Sequence, residues 1–145
     1  MITIESCSSG NCIRGSGKQV SQLRDVEPFS TIKVGGTVKL LVHQGAQQQL
    51  RIVADDNIHE RISTKVRNDQ LIINMDDDFC ETGPVTIYTT SANLEGIDVS
   101  GVVEVISQGR INSTSFNLDL SGASKAMLDI SCGEMNIKTS GSSNV

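Results

Sequence analysis

Apolar residues fall at every second position through much of the chain. Ile32 and Val34 bracket Lys33, and Val38, Leu40 and Val42 alternate with Lys39, Leu41 and His43. Leu50, Ile52 and Ala54 follow, then Leu71, Ile73 and Met75, then Val85 and Ile87. A period of two marks a strand with one buried face, and the runs end at Gly, Asn, Asp and Pro, which favour turns. The pattern therefore predicts an all-β fold of short strands. One stretch departs from it. Ile58 and Ile62 stand four apart behind Asp56-Asn57, which predicts a single helical turn capped by those two polar residues, leading into a strand over 63–66. Asn68-Asp69 then predicts a tight hairpin turn, because both residues tolerate positive φ.

The second half adds a longer period. Ile97-Asp-Val99-Ser100-Gly101, Leu118-Asp-Leu120-Ser121-Gly122 and Ile137-Lys-Thr139-Ser140-Gly141 share one frame, with glycines 21 and then 19 residues apart. Ile32-Lys-Val34-Gly35-Gly36 is an earlier copy with Gly in place of Ser. A recurrence of this length, with two or three short strands per unit, predicts a solenoid of stacked rungs. A single rung cannot bury its inward side chains, whereas stacked rungs pair backbones and form a continuous apolar column. The chain must bend between rung faces, and glycine permits the bend. Serine beside it offers a hydroxyl to a backbone group that the bend leaves unpaired. The set Gly36, Ser100, Gly101, Ser121, Gly122, Ser140 and Gly141 is therefore read as an aligned structural corner. A β-sandwich also has many short strands, but it does not require Ser-Gly at near-constant spacing.

Composition narrows the function. Aromatic residues are 3% of the chain and Trp is absent, which disfavours a nucleic-acid stacking platform or an aromatic sugar groove. Net charge is −5, from 17 acidic and 12 basic residues; with no Lys/Arg cluster, nucleic-acid binding is not expected. No apolar run reaches the length of a spanning helix, so a membrane-spanning role is not expected either. Residues 1–20 are polar and rich in Gly and Ser and read as a flexible leader, with residues 21–145 as one domain. The first residues show neither the basic nor the apolar region of a signal peptide. Cys7 and Cys12 flank Ser-Ser-Gly-Asn and either close a small disulfide loop after export or remain free thiols. Cys132, near an alternating run, reads as a small core or turn residue.

Taken together, "FSTIKVGGTVKLLVHQG", "DNIHERISTKVRNDQLII" and the "VSG", "LSGAS" and "TSGSS" repeats resemble the family named putative auto-transporter adhesin, head GIN domain. The resemblance spans about residues 15–145. It implies a right-handed β-helix-like domain, exported and associated with the bacterial cell envelope. The chain is therefore expected in the periplasm, the outer membrane or at the cell surface, presenting a long, polar, repetitive β-face to an unknown protein or glycan. It brings no catalytic or binding residues with it. The last copy of the frame stops at Val145, so an open terminal rung is expected, with self-association through it and further rungs beyond.

Candidate chemistry is sparse. Asp76-Asp77-Asp78 follows Met75; Asp76 and Asp78 would bind Ca²⁺ with backbone oxygens, as in a polysaccharide-active β-helix, or form a solvated acidic loop. The second reading is favoured, since the run holds no basic residue and the Gly-x-Asp ladder of calcium-binding solenoids is absent. His43 and His59 are isolated in sequence, and no Cys-x-x-Cys or Gly-x-Ser-x-Gly occurs, so zinc and a serine nucleophile are not expected. His43 reads as an outward residue and His59 as an ordinary surface or satisfied histidine. The sequence thus predicts a non-enzymatic envelope module without cofactor, or, on a third reading, a structural spacer whose rungs bind nothing.

Overall fold

The computed structural model describes residues 13–75, 79–81 and 83–141. Ten strands run in order: β1 (Ile13–Arg14), β2 (Gln19–Arg24), β3 (Thr31–Gln44), β4 (Gln49–Asp55), β5 (Ile62–Arg67), β6 (Gln70–Met75), β7 (Phe79–Glu81), β8 (Thr86–Ser91), β9 (Gly96–Leu120) and β10 (Lys125–Thr139). The all-β reading holds. The only helical piece among the described residues is a 3₁₀ turn at His59–Arg61. Asp56 and Asn57 do not cap it, since no side chain bonds its first turn. They hold the preceding segment instead: Asn57 Nδ2 donates to the Arg14 carbonyl at 2.8 Å, and Ser16 Oγ donates to Asp56 Oδ1 at 2.5 Å.

One sheet dominates, in the order β10-β9-β3-β8-β4-β2, with β6 pairing both β3 and β5; β1 and β7 form a separate parallel pair. It is curled into half a barrel. Its two ends are built differently. At one end β3, β9 and β10 are parallel, and β10 follows β9 at an offset of 21 residues (Lys125↔Glu104) and then 19 (Ile137↔Leu118). This is coil-like stacking with the period of the repeat. At the other end β2 pairs β4, β4 pairs β8, and β5 pairs β6, all antiparallel. Stacked rungs from residue 21 onward do not describe that half. Nor are the strands all short: β9 is a single 25-residue strand that turns at Gly101 and Gly109, where φ is +93° and +90°. Asn68 and Asp69, at φ +54° and +63°, make the tight turn between β5 and β6.

The core is a set of columns drawn through the register. Ile32 pairs Leu71 on one side and Ile97 on the other, and Leu40 lies between Ile87 and Val105; each is at most 2% exposed. Aliphatic side chains fill this narrow interior, with Phe29 and Phe116 as its buried rings. Burying each such side chain fully is worth roughly 1.5–3 kcal/mol. The columns fade at β10: Leu128, Ile130 and Cys132 are half-buried, and Ile137, paired to the buried Leu118, is 50% exposed.

Candidate functional site

Two features of the polar surface result from this architecture, a corner and a cleft. At the corner Gly36 is the register partner of Gly101. Ser121 N donates to Val99 O at 3.0 Å, Ala123 N to Gly101 O at 3.0 Å, and Ser140 N to Leu120 O at 2.9 Å. Gly36, Gly101, Gly122 and Gly141 thus stand in one column, all at positive φ. A Cβ on Gly101 would lie 2.5 Å from Gly36 O, one on Gly122 2.5 Å from Gly101 O, and one on Gly141 2.8 Å from Gly122 O. No side chain fits at those distances, so the bend needs glycine for its φ and for its neighbour. Ser121 Oγ donates to Val99 O at 3.2 Å. Ser124, which sequence reading passed over, is buried and donates to Ser121 O at 2.8 Å and to Gly101 O at 3.4 Å. Its only signal was its place three residues after Ser121. Ser100 and Ser140 are exposed.

The cleft holds about 710 Å³ and lies among loops. The β2–β3 connection, the β3–β4 turn, the β8–β9 connection and the middle of β9 meet there. Glutamine brackets fix its walls. Gln44 Nε2 donates to Asn112 O at 2.8 Å while Gln44 Oε1 accepts from Asn112 N at 2.9 Å. Gln48 Nε2 donates to Val26 O and Glu27 O at 2.9 and 3.0 Å. Buried Ser91 Oγ donates to Phe29 O at 2.7 Å. On this frame Asn93, Asn112 and Thr114 bring exposed polar side chains to the lining, together with Asp69 and Glu95. No Lys, Arg or His is among the described lining residues. The cleft offers amide and hydroxyl hydrogen bonding in a negative setting, which suits a neutral polyhydroxylated or a basic group. Sequence reading did not find it, because its residues come from connections that only the sheet order brings together.

Beneath the sheet's other end lie two buried polar groups. Asp55, 1% exposed, accepts from Gly83 N at 3.0 Å and Gln19 Nε2 at 2.6 Å. The Gly83 bond, then the Gln19 bond, holds its carboxyl below the ordinary range. His59 is 6% exposed, not a surface histidine. Its Nε2 donates to Val20 O at 2.6 Å, and Nδ1 has no partner. Arg24 donates to His59 O at 2.6 Å and to Ile62 O at 2.5 Å. These bonds clasp β2, whose own side chains are almost all exposed, and they belong to structure. His43 is exposed and Cys132 is a half-buried free thiol. Asp76, Asp78, Cys7 and Cys12 lie outside the described residues. Among those described, no group of three or more His, Cys, Asp or Glu gathers in metal-binding fashion, and no helix is long and apolar enough to cross a membrane.

The chain belongs to the family described as putative auto-transporter adhesin, head GIN domain, which matches residues 28–145. Its fold is similar to the crystal structure of a putative adhesin from Bacteroides fragilis, with a TM-score of 0.85 at 22% identity over 90% of this chain and 62% of that one. A putative adhesin from Parabacteroides merdae gives 0.84 at 18% identity, over 90% of this chain and 56% of that one. The chain thus spans about three-fifths of the length of these neighbours, and at such identities the likeness is one of fold. No curated protein matches the chain.

Proposed function

We propose that this chain is a non-enzymatic adhesin module of the bacterial envelope, exported to the periplasm, outer membrane or cell surface, that holds a protein or glycan in the loop cleft. The observation that carries the reading is the cleft itself, whose braced walls present Asn93, Asn112 and Thr114 beside Asp69 and Glu95 with no basic residue in the described lining. Preorganised walls lower the ordering cost of binding. The parallel β3-β9-β10 ladder supports reading that half as a right-handed β-helix-like coil, with the Ser-Gly corners serving architecture. Among the described residues β10 is the edge strand of that half and carries exposed Met135 and Ile137, and a second chain pairs along that edge in self-association. Light scattering at high concentration that finds monomer alone removes that last element.

A glycan array and a pull-down from envelope extracts, each run with the native chain and with Asn93→Ala/Asn112→Ala, test the proposal. The expected result is retention of one glycan class or one envelope protein by the native chain and its loss in the double variant. Equal binding by both proteins, or none by the native chain, overturns it.

A further inference from the structure

The register aligns a second feature on the face opposite the core. Leu23 pairs Arg51, Arg51 pairs Tyr88, Tyr88 pairs Leu41, Leu41 pairs Ile106 and Ile106 pairs Met127. One continuous row therefore crosses six strands, β2-β4-β8-β3-β9-β10, at a single level. Their chain neighbours Ile52, Ile87, Leu40 and Val105 are fully buried, so the row faces outward. Its four central members are half-buried, and its ends are exposed, Leu23 at 63% and Met127 at 54%. The guanidinium of Arg51 stacks 4.3 Å over the ring of Tyr88, the only tyrosine of the chain. Among the described residues no carboxylate pairs with Arg51. On the flanking level Lys39 and Lys125 stand on either side of Glu104, with Lys39 Nζ 3.9 Å from Glu104 Oε1.

We propose that this row binds a single-chain anionic amphiphile of the fatty-acid class, with its carboxylate on Arg51 and its hydrocarbon chain laid across the strands over Leu41, Ile106 and Met127. A guanidinium fixed on an aromatic face keeps its in-plane N–H donors open to an oxyanion. Beyond Tyr88 the row is aliphatic for three strand spacings, about 14 Å. It supplies apolar contact and no hydrogen-bonding side chain. That combination excludes other occupants. A glycan would meet only Lys39, Glu104 and Lys125 on the flanking level, two of them already paired, and would leave the hydroxyls over the aliphatic stretch itself unpartnered. A peptide would bring backbone groups that a sheet face, its own N–H and C=O already used in ladders, does not satisfy. A second copy packed face to face on the row, unlike one paired at the β10 edge, gains too little: five strand spacings by one side-chain width is roughly 160 Å², against the ~800 Å² per partner of a stable interface. A hydrocarbon chain needs only what the row provides.

Tyr88 is also the reporter, since the chain has one Tyr and no Trp and its emission reads the row alone. Dodecanoate is titrated below its micelle concentration, with dodecanol as the chain without the charge and acetate as the charge without the chain. Vesicles of phosphatidylcholine with oleate form a separate arm. The expected result is a saturable change in Tyr88 emission with dodecanoate. The dissociation constant rises about tenfold with dodecanol or with Arg51→Gln, the loss of one charge-assisted contact at ~1.4 kcal/mol. Met127→Ser, at an exposed far end where folding is not at risk, weakens dodecanoate but leaves acetate unchanged, and Arg51→Lys retains part of the affinity. An unchanged emission, equal affinity for dodecanoate and dodecanol, or a response only to vesicles overturns the proposal. The Asn93→Ala/Asn112→Ala protein must respond as the native chain does, so this inference and the cleft stand or fall separately.

Discussion

Replacing Gly122 by alanine tests the corner, and the structure supplies its own control. At Gly122 φ is +76°, and an added Cβ would meet Gly101 O at 2.5 Å, Gly101 N at 3.0 Å and Gly101 C at 3.2 Å. Gly109 has φ +90°, and nothing lies within 4 Å of its added Cβ. Both substitutions therefore pay the left-handed backbone penalty, about 1–2 kcal/mol for a residue with a Cβ. Only Gly122→Ala also drives a methyl into a neighbouring backbone, which must move away and lengthen ladder hydrogen bonds, at about 1–3 kcal/mol more. The expected losses are therefore about 1–2 kcal/mol for Gly109→Ala and about 2–5 kcal/mol for Gly122→Ala. Gly101→Ala should match Gly122→Ala, since its Cβ meets Gly36 O at the same 2.5 Å. Gly36→Ala should fall nearer Gly109→Ala, because the atoms it meets are those of the Met75 side chain, closest at 3.2 Å, which can swing aside. Urea titration followed by circular dichroism in the strand band measures each difference. If Gly122→Ala is no more destabilising than Gly109→Ala, the column is not a steric constraint and the reasoning fails.

Other outcomes follow from buried and stacked groups. Because the Gly83 and Gln19 bonds hold the Asp55 carboxyl below its ordinary value, its contribution is fully present above the ordinary carboxylate range and is lost as pH falls from there through the lowered value of the folded state. Asp55→Asn should therefore lower the melting temperature at pH 7 and narrow the gap to the native chain toward pH 3; a gap that does not change with pH contradicts this. Asp98 has the opposite sign: burial, then the charge of Asp119, raises its carboxyl while Lys33 pulls it back. Ionised Asp98 therefore costs stability at neutral pH, and the cost disappears as pH falls through its raised value. Asp98→Asn should melt higher than the native chain at pH 7 and equally at low pH, and a lower melt at pH 7 contradicts this. Ile97→Ala, at a site 2% exposed, should cost about 2–5 kcal/mol. Ile137→Ala, at 50% exposure on the edge strand, should cost under about 1 kcal/mol; near-equal losses in chemical denaturation would show that β10 is covered in solution.

The sequence revealed what is local and what repeats. Ser-Gly frames marked the corners because a positive φ next to another backbone leaves few residue choices, and Asn68-Asp69 marked its turn for a similar reason. Strand direction was hidden. A period of two reads the same in a parallel and an antiparallel ladder, so nothing in Leu50-Arg-Ile52 announced that β4 runs against β8 while β3 runs with it. Asp56 and Asn57 looked like caps because their side chains suit that task, but the Ser16 hydroxyl bonds Asp56, and the Ser16 N–H and Arg14 carbonyl bond Asn57. The cleft and the Arg51–Tyr88 row depend on which strands are neighbours, a property of the whole sheet and of no single segment.

The change of offset from 21 to 19 residues occurs between Met127 and Asp129, where β10 passes the Ile106–Arg110 stretch of β9. Gly109 stands in that stretch, in open space. The two rungs thus differ in length, yet their corners coincide, as though a belt of variable length were buckled always at the same hole. Insertions and deletions in such a chain should therefore collect around Gly109 and its counterparts, at positions midway between one buckle and the next.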